Sequence, residues 1–206
     1  MTADDSRASR LALLAAGALL LVGGAALWLG LAESVIALWG FGAACLLQVI
    51  PSLGVWQRIR EGFGNRGLNR ERLTLRTVSH LLRLLALGVV LTSVAALMGD
   101  RSPQAGFSAL GLAILAAGLI TPLWLAKRDW AGVQPSLELD AARTRTLLEL
   151  TVLVLVGWLL GRWFPCADAV TGIALALRLF VEGRTLAKVT TLQAASCGGC
   201  GSCGCG

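Results

Sequence analysis

Six apolar runs, nearly free of charge, leave this chain few ways to fold. They cover residues 11–31, 34–56, 78–98, 107–126, 146–164 and 167–181 of 206. Most reach the roughly 20 residues that a helix needs to cross the hydrocarbon core of a bilayer. The runs are continuously apolar rather than alternating, which argues against a transmembrane β-barrel. Composition agrees: 56% of the residues are hydrophobic and 15% charged, against about 25% charged in a soluble domain. So few charges cannot cover so much apolar surface, and disorder needs the opposite balance. The expected fold is all-α, a six-helix transmembrane bundle. Residues 1–10 form a short N-terminal segment, 11–187 the bundle and 188–206 a Cys/Gly-rich tail. Only Ala32 and Glu33 part the first two runs, so these form a tight helical hairpin. The first run is too long for the apolar region of a signal peptide, about 7–15 residues.

The basic residues sort by side. Arg7 and Arg10 precede the first run, and arginines fill the stretch 57–76 after the second. Lys127, Arg128, Arg143 and Arg145 lie between the fourth and fifth runs, and Arg184 and Lys188 follow the sixth. The opposite side holds only Arg101 and Arg162. By the positive-inside rule both termini are cytoplasmic, in a multi-pass protein of the cell (inner) membrane. The net charge of +6 therefore records orientation and contact with the lipid bilayer's anionic headgroups, not nucleic-acid binding. With no P-loop, nucleotide fold or catalytic triad in the sequence, no enzymatic activity is expected.

An ionisable side chain inside a bilayer is expensive and is a functional candidate by default. In the sixth run Asp168, Thr171, Arg178 and Glu182 fall within an arc of about 80° at helical spacing. They form either a polar strip along a pathway, interrupted by Leu175, or a structural Arg178–Glu182 pair one turn apart. In the fifth run Asp140, Thr144 and Thr151 share a face within about 40°. Glu149 points the other way, one turn from Arg145, which suits a pair. Asp140 is expected at the cytoplasmic mouth, drawing in cations or simply solvated in the first turn, where an acid suits the helix dipole. In the second run Cys45, Gln48 and Ser52 lie along one stripe. With Gly40 and Gly42 they either line a pathway or form a close helix contact, where small residues let backbones approach. His80, the one histidine, lies one turn from Arg83 and suits a proton relay or an interfacial hydrogen bond.

The sharpest motif is at the C-terminus, which reads SCGGCGSCGCG from Ser196. Cys197, Cys200, Cys203 and Cys205 have chelating spacing, and glycine between them lets a backbone wrap a small ion. Thiolates suit zinc, Cu(I) or an iron–sulfur cluster. In the cytoplasm thiols stay reduced, which disfavours disulfides. The segment has no apolar residue to fold around, so metal would have to order it.

Several stretches resemble the membrane domain of the cation diffusion facilitator superfamily, in particular its short bacterial members. The run SVIALWGFGAACLLQV from Ser34 resembles that family's second helix, S-V-A-L-x-G-F-G-L-D-S-x-x-E-V. Leu139-Asp140-Ala141 with Thr144 resembles the start of its fifth helix. Ala167-Asp168 after Trp163 resembles a W-W-A-D-P corner, and Glu182-Gly183 an R-E-G motif. The resemblance implies six transmembrane helices, a homodimer, and export of a divalent cation such as zinc in exchange for protons. The family's site uses carboxylates one turn apart on helix two, with helix five supplying the rest. Here those helix-two positions are Ala44 and Gln48. Arg145 sits close to where relatives place a helix-five ligand. The expected function is therefore handling or transport of a transition-metal cation. One alternative is a non-transporting relative that acts as a membrane anchor or assembly partner presenting the tail. Another is a membrane thiol–redox protein, for which no helix-borne CxxC is present.

Overall fold

The computed structural model describes the backbone of residues 3–61, 65–99, 106–131 and 135–198, with side chains for residues 9–57, 73–99, 106–129 and 140–188. All six elements found there are helices: α1 (Ala3–Ala32), α2 (Ile36–Glu61), α3 (Asn65–Met98), α4 (Phe107–Ala131), α5 (Pro135–Leu160) and α6 (Ala167–Gly198). Four carry stretches long and apolar enough to cross a membrane: Ser9–Ala32, Ile36–Gln57, Leu73–Met98 and Phe107–Asp129. These match the first four apolar runs to within a few residues. The fifth and sixth runs are helical too. Their helices carry more charge, including Arg143, Arg145 and Glu149 in α5 and Asp168, Arg178 and Glu182 in α6.

The boundaries differ from expectation in three places. The arginine-rich stretch 57–76 is largely helix, because α2 runs on to Glu61 and α3 begins at Asn65. Lys127, Arg128, Arg143 and Arg145 lie on α4 and α5 rather than in a loop. The fifth helix ends at Leu160, and residues 161–166 form the turn into α6.

The helices run up and down, and α2 is their centre, touching α1, α3, α5 and α6. Two-thirds (67%) of its apolar stretch is buried, against 22% for those of α3 and α4. Leu38, Phe41, Ala44 and Cys45 of α2 are fully buried, packed with Val22, Val89, Leu150 and Leu175 from its neighbours. Large apolar side chains face outward on α1, α3 and α4, among them Leu14, Leu21, Leu84, Leu91, Ile114 and Leu115. An apolar exterior of that kind fits a membrane protein.

The expected α1–α2 hairpin is present. Ser34 takes the left-handed conformation that turns the chain (φ 58°). A Cβ on Gly42 would run into the backbone of Leu27, Ala26 and Gly23 in α1, and one on Gly30 into the backbone of Trp39. Glycine at these points is what lets the two helices touch. Elsewhere α3 and α6 are clasped through one carbonyl: Gly183 O accepts from Ser79 Oγ (2.7 Å) and Arg83 Nη2 (3.3 Å).

Candidate functional site

The polar residues of α2, α4, α5 and α6 gather towards the end of the bundle that holds the start of α5. On α2, Gln48 and Ser52 are one turn apart and face the same way; both are buried. Ser52 Oγ donates to Asp140 Oδ1 at 3.3 Å. The other Asp140 oxygen, Oδ2, meets the ammonium of Lys127 at 2.7 Å. Lys127 Nζ also donates to Thr144 Oγ1 at 3.0 Å. Thr144 in turn donates to the carbonyl of Asp140 at 2.9 Å, one turn back on its own helix. The Lys127 and Asp140 side chains are 1% and 3% exposed. Asp140 is thus not a solvated residue at a mouth, because Lys127 and Ser52 replace the water it would otherwise need.

A second group lies beside the first. Gln48 Nε2 donates to Glu182 Oε1 at 3.0 Å, both side chains being buried. Arg178 does not pair with Glu182. Its guanidinium reaches Glu149 of α5, with Nη2 at 2.6 Å and Nε at 2.7 Å from Oε2. It also donates to Thr146 Oγ1 at 3.3 Å. Arg145 meets the other Glu149 oxygen at 3.3 Å, as the i, i+4 spacing predicted. The Arg178–Glu149 contact uses two donors of one guanidinium on one oxygen, a charge-assisted geometry between helices. Next to it opens a cavity of about 1300 Å³ whose lining includes Arg128, Arg143, Arg145 and Arg178 but only two acids, Glu149 and Glu182. A mobile cation there meets an excess of positive charge.

Asp168 lies at the other end and serves a different purpose. Its Oδ2 and Oδ1 accept from the backbone N–H groups of Ile36 (2.8 Å) and Ala37 (3.1 Å). It caps the first turn of α2 from the first turn of α6, satisfying amides that a helix start leaves orphaned. Glu33 does the same for α4, accepting from Gly106 N at 3.1 Å and from the Ser108 hydroxyl. Trp158 Nε1 bonds Gly106 O at 3.1 Å, and Arg162 lies 5.3 Å from both the Phe107 and Trp158 ring centres.

The residues singled out from sequence therefore divide. Gln48, Asp140, Thr144 and Glu182 come together around Ser52 and Lys127. Arg178 joins Glu149 on the cavity side, so Asp168, Arg178 and Glu182 of the α6 strip go to three different partners. Asp168 is a cap. Cys45 is fully buried and packs against Gly23 of α1. His80 is exposed on α3. Among the described residues no three His, Cys, Asp or Glu side chains cluster as metal ligands would. The side chains of Cys197, Cys200, Cys203 and Cys205 lie outside the described residues.

Sequence reasoning missed Lys127, which it counted as a loop charge. The signal was there: buried Ala109, Ala113, Ala116 and Ile120 repeat at steps of four and three. That stripe, continued by one heptad from Ile120, arrives at position 127. No protein-family model matches this sequence, and no curated protein matches it.

Proposed function

We propose that the chain is an integral membrane protein built on the plan of the cation diffusion facilitators, which handles a transition-metal cation. On this reading all six helices cross the membrane, both termini are cytoplasmic, two chains pair, and the tail thiolates capture metal for the bundle. The supporting observation is that Gln48, Asp140 and Glu182, from the helix-two, helix-five and helix-six stretches that carry the resemblance, are drawn into one polar region around Ser52. Gln48 and Ser52 face Glu182 and Asp140 at 3.0 and 3.3 Å inside the bundle. Sealed vesicles containing the protein should take up zinc, cadmium, copper or cobalt, and serine at the four tail cysteines should slow that uptake. Vesicles with no flux of any of the four ions would sink the transport half of the reading.

A second reading is favoured by the Lys127–Asp140 pair and the arginine-rich cavity. The bundle is then a non-transporting relative that anchors the tail. Its ligand positions are empty of acid at Ala44 and Gln48, and its surviving acid is neutralised within the protein. This reading expects metal bound by the purified protein, lost on serine substitution of the tail cysteines, with no flux.

A further inference from the structure

Lys127 is an unusual occupant of its place. It is wholly buried, within the apolar stretch Phe107–Asp129 of α4. Its ammonium is met by oxygens from α5, a carboxylate at 2.7 Å and a hydroxyl at 3.0 Å. Ser52 of α2 holds the far side of that carboxylate. Stability alone is a poor reason for such a pair, because buried ion pairs replaced by well-packed apolar groups often cost nothing. The side chain also surrenders the rotamer freedom of a long lysine. The ammonium thus sits on two hard oxygens of α5, with a third, the Ser52 hydroxyl of α2, behind the same carboxylate; oxygens of this kind are how proteins hold hard cations. One turn along α2 from Ser52, Gln48 holds a second buried carboxylate, Glu182, whose Oε2 has no hydrogen-bond partner.

We propose that the ammonium of Lys127 is a resident cation, seated on Asp140 and Thr144 with Ser52 behind the carboxylate, and that this seat takes a hard divalent metal ion from solution only when the ammonium is withdrawn. The inference rests on reading the bundle as a cation-handling unit, and it specifies what holds that unit closed. Hard-ion distances to oxygen, about 2.0–2.6 Å, are shorter than those the ammonium makes. The oxygens would close in by a few tenths of an ångström as the metal replaced the nitrogen.

The test uses the full chain with Cys197, Cys200, Cys203 and Cys205 changed to serine, so that tail thiols bind nothing. The probe is Mn²⁺, whose aqueous electron paramagnetic resonance signal is lost on binding. Lys127→Met should bind about one Mn²⁺ per chain, at least about tenfold more tightly than the serine parent. Adding Asp140→Asn should return it to the parent's level, and Lys127→Arg should stay there. Lys127→Met leaves a buried carboxylate unpaired, so its folding is followed by thermal melting with and without Mn²⁺. The seat requires that Mn²⁺ raise the midpoint of Lys127→Met and leave the parent's unchanged. The proposal is overturned if Lys127→Met gains neither binding nor midpoint from Mn²⁺, or if the parent binds Mn²⁺ as tightly with Lys127 in place. Flux measurements stand apart from this result: an active transporter whose Lys127→Met form binds no Mn²⁺ refutes the seat alone. A Mn²⁺-binding Lys127→Met variant in a protein without flux refutes transport alone.

Discussion

Asp140 and Lys127 hold each other because neither has another charged partner among the described residues. An isolated charge in so apolar a place would cost several kcal/mol, whereas a bonded pair is tolerated. Asp140→Asn should therefore destabilise the protein by about 3–5 kcal/mol, because it strands the ammonium. The double variant Lys127→Met, Asp140→Asn should recover most of that loss, since it removes both charges. Thermal midpoints in detergent check both, and a single variant that melts with the wild type would show the pair to be idle. The sequence made one half of this pair visible. Asp140 stood out as an acid on one helical face with Thr144. Lys127 did not, because a lysine just past an apolar run has the same composition whether it anchors the run in headgroups or turns inward. Only its place on the Ala109–Ala113–Ala116–Ile120 stripe distinguishes the two, and that requires the helix to continue past residue 126. Partner choice was the harder part. Spacing along α6 permits Arg178–Glu182, and only the packing of α5 against α6 reveals Glu149 as the nearer acid.

Helices α1 to α4 were legible because apolar runs bounded by polar residues set their limits. The early part of α3 and the late part of α6 were not, since a helix rich in arginine or threonine has no apolar period to betray it. The α1–α2 hairpin was legible from its two-residue break, and its glycines carry a further consequence. Gly42 faces backbone on α1, whereas Gly54 of the same helix faces open space. Gly42→Ala should cost about 1–3 kcal/mol by forcing two backbones apart. Gly54→Ala should be neutral or stabilise by about 0.5–1 kcal/mol, since glycine is a poor residue for a helix interior. The two midpoints, measured side by side, separate close packing from helix propensity within a single element.

At the scale of the molecule, the native cysteines are placed to report its orientation. Cys166 is exposed in the turn before α6, and Cys45 is buried. From that turn α6 runs to the opposite end of the bundle, and in sequence the tail cysteines come at and after its last turn. On the proposed topology, with both termini cytoplasmic, a membrane-impermeant maleimide applied to intact cells should label a variant that keeps only Cys166. It should spare one that keeps only the tail cysteines, and inside-out vesicles should reverse the pattern. Labelling of the tail from outside would invert the topology. The end that holds Cys166 also says something about how such a chain is made. The first amides of α2 are capped by Asp168, 132 and 131 residues further along, and α4 is capped by Glu33 across 73 and 75. During synthesis the opening hairpin thus emerges with one helix start unfinished, and the acceptor arrives only with the last helix. Until then water at the membrane surface must stand in for a carboxylate not yet translated, so a nascent chain stopped before α6 should leave α2 loosely seated and open to quality-control proteases.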